Sequence, residues 1–237
     1  DPYGFPRNGI AFLDQERADA DAVRARELGF NIATHAIGDE GAATALTAYE
    51  RAGVTRDDRW ALEHAQLVGD DLVERMAERG VIASYQLSFA TSDARVAYDA
   101  LGDPRVQQTA YRWATMQRRG VPLAGGSDVD VEVVDPLWGL QRAVTRQDFD
   151  GFPEGGFRPE EGLGVRDTLR TITSDGAYAS LEDHERGTIE VGKYADLVVL
   201  GEDLLHTPPD RLASVRRDMT ITNGRIVSEE SVAYPPT

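Results

Sequence analysis

Cysteine is absent from the 237 residues of this chain. Disulfide scaffolds, thiolate metal sites and cysteine nucleophiles are therefore excluded within this sequence. A metal ion bound here has to be held by histidine and carboxylate side chains, and the chain has only 4 histidines.

Positive charge is scarce, and lysine is almost missing. The chain has 25 Lys+Arg against 41 Asp+Glu, a formal net charge of −16, and Lys193 is its single lysine. This balance argues against a nucleic acid or an anionic membrane as partner, because both require basic surface. The arginine bias is typical of a GC-rich genome. Together with the acidity it also fits a salt-adapted cytoplasm, which we favour.

Long hydrophobic runs are absent too. No run reaches the roughly 18 apolar residues of a membrane span, and no basic-then-apolar leader opens the chain, which begins at Asp1 rather than at a methionine. We therefore expect a cytoplasmic protein. With 41% hydrophobic residues, a chain of this length can bury the core of one domain with a small appendage.

A rhythm of apolar segment, turn and helix runs to about residue 180. It predicts βα units and a parallel sheet. The predicted strands are 30–35, 60–64, 81–86 and 122–128, and the predicted helices lie at 14–29, 42–53, 70–80, about 106–120 and 165–180. A Gly- and Asp-rich segment, 129–164, shows only a helical turn or two near 137–144. Loops of that size on βα frameworks usually carry function.

The pattern changes near residue 185. Short strands are predicted at 187–190, 195–200, 215–221 and 225–227. Asn223-Gly224 between the last two is a strong hairpin signal. We expect a βα part over residues 1–184 and a small antiparallel β appendage over residues 185–237.

Three predicted strands end in a side chain that can bind a metal: His35, His64 and Asp128. A parallel barrel gathers such strand ends into one site. Imidazole and carboxylate suit zinc, and also iron, manganese or nickel. A lone histidine at a strand end is more often a hydrogen-bonded core residue, but two histidines and an aspartate at matching ends favour a metal site.

Other candidate residues and chemistries are weaker. His184 and His206 are predicted to be ordinary surface residues, and Glu63 should point away from His64 in an alternating strand. A Gly-x-Ser-x-Gly nucleophile elbow, a phosphate-binding P-loop, a Gly-x-Gly-x-x-Gly turn and a His-Glu-x-x-His motif are all missing from the sequence.

Several motifs resemble those of the amidohydrolase superfamily, and more narrowly its amidohydrolase-3 branch with the N-substituted formamide deformylases. They are THAIGD at 34–39, EHAQ at 63–66, GSD at 126–128 followed by DPL at 135–137, AVTR at 143–146 and GTIEVGKYADL at 187–197. The resemblance covers nearly the whole chain.

The resemblance implies a (βα) barrel of the TIM type with a divalent metal, zinc before iron, manganese or nickel. His35 would be the metal ligand on barrel strand five. His64, on strand six, would bind a second metal or contact substrate and water. Asp128, on strand eight, would bind metal and carry a proton from the attacking water to the leaving amine.

The resemblance also implies substrate contacts at Asp39, Gln86 and Ser127. The sequence departs from the branch in the loops beside them. Residues 86–89 read QLSF where Gln-Pro-x-His is usual, and residues 129–130 read VD where Ala-Pro is common.

The larger departure is that two family features are missing. The sequence has no His-x-His pair, and Lys193 lies in the appendage, so no lysine is available for a carbamylated bridge between two metals. We infer that the chain holds barrel strands five to eight and the C-terminal part of a composite β-sandwich. Half a barrel exposes sheet edges, so we expect the N-terminal half or a second copy of the chain as partner.

The expected function is hydrolysis of a non-peptide C–N bond in a small amide, formamide or cyclic amide, by metal-activated water. One alternative is a catalytically inert fragment that serves as a structural or assembly module. Another is deamination of an aminated heterocycle, which the same ligand set supports.

Overall fold

A computed structural model describes residues 10–229, and these residues form two compact units. The first unit contains the described residues up to Tyr85 together with Asp93–Ala124. The second contains Gln86–Ser92 together with the described residues from Gly125 onward. The boundary near residue 184 between a barrel part and an appendage stays a prediction.

Helices and strands alternate as far as residue 86, as the apolar rhythm predicts, and several short helices follow one another after it. The α-helices are α1 Gln15–Leu28, α2 Asp39–Arg51, α3 Asp70–Arg79, α4 Phe89–Ser92, α5 Ala94–Leu101, α6 Asp103–Thr109, α7 Trp113–Arg118, α8 Pro136–Thr145, α9 Val165–Thr171 and α10 Ser174–Ala179. Short 3₁₀ helices lie at Arg56–Asp58, Pro159–Glu161 and Pro209–Ser214.

The strands form two sheets. They are β1 Ala33–Ala36, β2 Ala61–His64, β3 Ile82–Gln86, β4 Leu123–Gly126, β5 Leu197–Leu200, β6 Arg217–Thr222 and β7 Arg225–Ser228. One sheet has the order β1-β2-β3-β4, with β1, β2 and β3 parallel, and the other is the antiparallel sheet β5-β6-β7. The predicted α/β class with a parallel sheet is confirmed.

The predicted single helix over 106–120 is wrong. The structure has two helices there, α6 and α7, because Ala110 leaves the helical conformation and pairs with Leu67 in an antiparallel bridge. The residues between the predicted strand at 81–86 and this predicted helix are also mostly helical, since they contain α4, α5 and the start of α6. At Ala110 a tertiary contact overrides the local pattern.

Two further predictions near the appendage need correction. The segment 187–190, expected to be a strand, is irregular backbone, and the helix expected over 165–180 is broken between α9 and α10. The hairpin signal is confirmed: Asn223 and Gly224 have φ of 49° and 74°, the left-handed pair that a two-residue turn between twisted strands requires. His184 and His206 are exposed, as predicted.

The core of the first unit is built on aromatic side chains. Tyr49 and Trp60 meet edge to face with ring centroids 4.9 Å apart, and Tyr85 lies 4.5 Å from Trp113. The Tyr49 hydroxyl donates to the carbonyl of Ala61, and burial raises the pKa of Tyr49. These contacts fix β2 and β3 against their helices.

The second unit has a core of its own. Leu137 and Leu140 of α8 pack with Leu204, Leu212 and Val215. The antiparallel sheet is less well covered, and apolar side chains are exposed on both of its faces. The exposed large apolar side chains of its strands are Val198, Val199, Ile226 and Val227. Among the described residues, no helix is long and apolar enough to cross a membrane.

Two helices end on a glycine with a left-handed backbone, and the two glycines differ in their surroundings. Gly29 after α1 has φ 74° with nothing within 4 Å of an added Cβ. Gly80 after α3 has φ 68°, and a Cβ there would lie 2.6 Å from the Cβ of Arg56 and 2.7 Å from its Cα. Position 80 therefore requires glycine for two reasons: its backbone is left-handed, and Arg56 leaves no room for a Cβ atom.

Replacement of Gly80 by alanine should therefore cost more than replacement of Gly29. We expect Gly29→Ala to lower the free energy of unfolding by about 1 kcal/mol, the cost of a left-handed Cβ. Gly80→Ala should lower it by about 3 kcal/mol, since overpacking adds to that strain. Urea denaturation of both variants measures the difference, and equal losses would contradict the close approach to Arg56.

Candidate functional site

His35 and His64 lie side by side where two neighbouring parallel strands end. Their ring centroids are 4.4 Å apart with the rings at 74°. His35 is exposed and His64 is buried. The predicted convergence of strand ends therefore brings these two imidazoles into contact.

Strand alternation alone would not bring the two rings together. In the parallel register His35 lies opposite Glu63 and His64 opposite Ala36, so a regular β2 would direct the two imidazoles to opposite faces. The backbone of His64 is left-handed, with φ 74°, and so is that of Ala65, with φ 42°. This turn interrupts the alternation at the last residue of β2.

Left-handed backbone at non-glycine residues costs of order 1–3 kcal/mol per residue and persists where surrounding structure imposes it. Three backbone hydrogen bonds hold the segment that follows His64. Leu67 N donates to Ile37 O at 3.1 Å, Val68 N donates to Thr109 O at 2.9 Å, and Tyr111 N donates to Gln66 O at 2.8 Å. The sequence carries no signal for this turn.

Asp39 belongs to the same compact unit as the two histidines. It is the first residue of α2, where a carboxylate is favoured by the helix dipole. Its Oδ2 atom lies 2.7 Å from Nη2 of Arg105, and both side chains are about two-fifths exposed, at 41% and 43%. Asp39, which the sequence predicts as a substrate contact, therefore already forms an ion pair with Arg105. No signal in the sequence singles out Arg105.

Gln86, Ser127 and Asp128 belong to the second unit. Gln86 is the buried last residue of β3, Ser127 is half-buried and Asp128 is exposed. Asp128 has a left-handed backbone, φ 57°, and its carbonyl accepts a hydrogen bond of 2.7 Å from Val131 N. A tight turn therefore presents the Asp128 side chain to solvent, directly after β4.

The loop that carries Asp128 is anchored by Asp135. The Asp135 carboxylate caps α8 by accepting from Leu137 N at 2.9 Å, and it forms an ion pair with Arg217 of β6. Its side chain is 6% exposed and that of Arg217 17%. The Asp-Pro-Leu motif marks this helix start, but the partner on β6 is distant in sequence and could not be predicted.

A second anchor lies on α8. The guanidinium of Arg142 lies over the rings of Trp138 and Phe149, at 5.5 and 5.6 Å, and its Nη1 is 3.4 Å from Oε2 of Glu132. Arg142 of α8 therefore contacts both Glu132, which precedes the helix, and Phe149, which follows it. The segment 129–164 thus has tertiary contacts that its weak periodicity does not predict.

The lysine motif of the appendage, GTIEVGKYADL at 187–197, also has a physical explanation. Lys193 Nζ donates to Thr188 Oγ1 at 2.6 Å and lies 3.5 Å from Glu190 Oε2. The single lysine therefore closes a turn over residues 188–193, far along the chain from the histidines.

The donor types fit a divalent metal, but the described part of the chain does not complete a ligand set. Two adjacent imidazoles are the ligands that zinc and similar ions prefer. Within residues 10–229, however, no group of three or more His, Cys, Asp and Glu side chains is placed to hold a metal ion. Catalytic zinc sites use three protein ligands, so His35 and His64 form a partial site.

Comparison with known proteins gives a consistent result. The model of the Amidohydrolase family matches residues 2–228. The chain is 34% identical to YtcJ of Bacillus subtilis (strain 168) over 94% of its own length and 42% of the relative's. It is 29% identical to the N-substituted formamide deformylase of Arthrobacter pascens, over 91% and 40%.

A solved structure is similar as well. An uncharacterized metal-dependent hydrolase from Pyrococcus horikoshii OT3 superimposes with a TM-score of 0.76 and 28% identity, covering 87% of this chain and 42% of that one. The chain thus spans about two-fifths of the length of the proteins it matches.

Proposed function

Because this chain belongs to the amidohydrolase family, we propose that it is part of a metal-dependent hydrolase that cleaves a non-peptide C–N bond in a small amide, formamide or cyclic amide. The observation that carries the proposal is the contact between His35 and His64 at the ends of parallel β1 and β2. The similarity to a formamide deformylase and to a metal-dependent hydrolase supports the substrate class and the need for a metal.

The activity is proposed for the whole protein, since the matched relatives are more than twice as long. We assign residues 1–184 to strands five to eight of a (βα) barrel and residues 185–237 to part of a β-sandwich. The N-terminal half of the protein, or a second copy of this chain, would cover the exposed apolar side chains of β5 and β7. We place the protein in the cytoplasm, with no nucleic-acid or membrane partner.

His35 and His64 would supply two ligands of the divalent cation, and Asp128, which is not grouped with them among the described residues, would supply a third in the assembled protein. Zinc is the first choice, with iron, manganese or nickel as alternatives. Such a cation, when bound, lowers the pKa of a coordinated water and polarises the carbonyl group of the substrate. The two imidazoles supply neutral nitrogen donors, and Asp128 supplies a carboxylate oxygen.

Asp128 is also the group that would move the proton. Its exposed carboxylate at the tip of a tight turn can accept a proton from the attacking water and return it to the departing nitrogen. Gln86, Ser127 and Asp39 would contact the substrate. Asp39, which forms an ion pair with Arg105, would orient the substrate.

A second candidate is that this chain by itself is catalytically inert and acts as a structural or assembly module. The observation that favours it is that no three-ligand cluster occurs within residues 10–229. Metal content and solution mass of the 237-residue chain test this candidate directly. A metal-free dimer supports it, and a zinc-loaded chain with hydrolase activity excludes it.

The test of the proposed reaction is hydrolysis by the full-length, zinc-loaded protein and by two neighbouring variants. Asp128→Asn should lower kcat by about 10²–10⁴-fold, the usual contribution of a positioned acid or base. Asp130→Asn, an exposed aspartate two residues away, is the matched control and should change kcat little. An N-substituted formamide, an aminated heterocycle and a dipeptide serve as substrates. Undiminished hydrolysis by Asp128→Asn would overturn the role of Asp128, and turnover of the heterocycle alone would replace amide hydrolysis by deamination.

A further inference from the structure

Asp93 lies outside every motif of this sequence, yet its carboxylate meets the segment that follows His64. Its Oδ2 atom accepts a hydrogen bond of 2.7 Å from the Tyr111 hydroxyl and one of 3.3 Å from Nε2 of Gln66. Tyr111 and Gln66 are both buried, at 3% and 6% exposed. All these groups belong to the first compact unit.

The side chain of Asp93 makes these bonds instead of a more usual one. Asp93 is the N-cap residue of α5, a position where aspartate normally accepts from the first backbone N–H groups of its helix. No side-chain capping bond is formed there. The carboxylate is turned toward Gln66 and Tyr111, which shows that the tertiary contact is preferred over the local one.

Gln66 and Tyr111 also join through the backbone. Tyr111 N donates to Gln66 O, and the neighbouring Leu67 pairs with Ala110. Tyr111 itself has a left-handed backbone, φ 50°, opposite the left-handed turn at His64 and Ala65. The Asp93 carboxylate accepts one hydrogen bond from Gln66 and one from Tyr111, so it holds the segment after His64 to the segment at Tyr111. Hydrogen bonds to a charged acceptor are stronger than those between neutral groups.

We propose that Asp93 is a positioning residue for His64: through Gln66 and Tyr111 it holds the turn that places the imidazole of His64 against that of His35. This role rests on the proposed function of the histidine pair as metal ligands. Outer-shell groups of this kind orient a ligand, and their loss typically weakens metal binding about 10–100-fold. Asp93 thereby becomes part of the site although it lies 29 residues after His64 and in a segment without a motif.

The test uses Tyr111→Phe, which removes one hydroxyl and keeps the ring, together with Asp93→Ala and Asp93→Asn. Thr47→Val is the matched control, because it removes another hydroxyl of the same unit, one that bonds to Ala43 within α2 and to Arg75. The first readout is NMR of the histidine rings in the metal-free 237-residue protein, with the nuclear Overhauser contact between His35 and His64 as the marker. The second is zinc affinity by chelator competition.

Tyr111→Phe and Asp93→Ala should weaken the contact between the two rings and lower zinc affinity about tenfold. Asp93→Asn, whose amide oxygen still accepts from the Tyr111 hydroxyl, should retain most of both. Thr47→Val should leave both unchanged even if it destabilises the fold equally. An unchanged ring contact in Asp93→Ala and Tyr111→Phe, or an equal change in Thr47→Val, overturns the positioning role. If the unmodified protein binds no zinc, the proposed function fails while the NMR readout still decides the role of Asp93.

Discussion

Exchange of Arg217 for methionine is expected to lower the free energy of unfolding by about 3–5 kcal/mol, because it leaves a buried carboxylate without its cation. The Asp135 side chain is 6% exposed and pairs with Arg217 of β6 while it caps α8. Methionine has a comparable apolar length, so the loss reports the missing charge rather than missing packing. Thermal or urea denaturation followed by circular dichroism measures it.

Two further variants show whether burial is the reason for this large effect. Arg17→Met breaks an ion pair with Asp21 whose side chains are 68% and 48% exposed, and it should leave the free energy of unfolding nearly unchanged. Combining Arg217→Met with Asp135→Asn should recover part of the stability, because the amide is cheaper to bury than an unpaired carboxylate. Losses of equal size in Arg17→Met and Arg217→Met would show that the Asp135 pair is not a buried one.

Replacement of His64 by glutamine is expected to lower the zinc affinity of the full-length protein by more than about 100-fold, beyond the range of outer-shell partners. His35→Gln should have an effect of the same order, because the two imidazoles lie 4.4 Å apart and would share one ion. Chelator competition with the purified protein measures both affinities.

The chain supplies its own controls for the histidine experiment. His184 and His206 are exposed, with side-chain exposures of 71% and 85%, and lie in contact with Glu185 and Asp203. His184→Gln and His206→Gln should leave zinc affinity unchanged. If His184→Gln or His206→Gln lowers zinc affinity and His64→Gln does not, His35 and His64 are not the metal ligands.

The local sequence pattern predicts most of the strands and several of the helices of this protein. The strands predicted at 60–64 and 81–86 agree with β2 and β3 to within a residue, and the helix predicted at 14–29 agrees with α1. The hairpin at Asn223-Gly224 follows from backbone preference alone, since only a few residue types adopt its left-handed conformation easily. The amidohydrolase resemblance is likewise confirmed by the family match over residues 2–228.

One error occurs where a distant contact competes with local preference. Ala110 carries a helical pattern but pairs with Leu67, which divides one expected helix into α6 and α7. The deciding partner is a residue that the local pattern does not contain. Residues 187–190 carry a strand pattern but form no strand, and the Lys193 side chain bonds to Thr188 within this irregular segment.

The sequence by itself determined the residue types available for chemistry and the strand ends that carry them. With no cysteine and only 4 histidines, it pointed to His35, His64 and Asp128, and the single lysine excluded a carbamate bridge within this chain. Only the tertiary structure decided that the rings of His35 and His64 touch, since a left-handed turn at His64 interrupts the strand alternation. It also showed that Asp93 accepts a hydrogen bond from Gln66 and that Arg217 forms an ion pair with Asp135. The reason is physical: side-chain type and periodicity are local properties, whereas strained backbone and buried charge depend on partners far away in sequence.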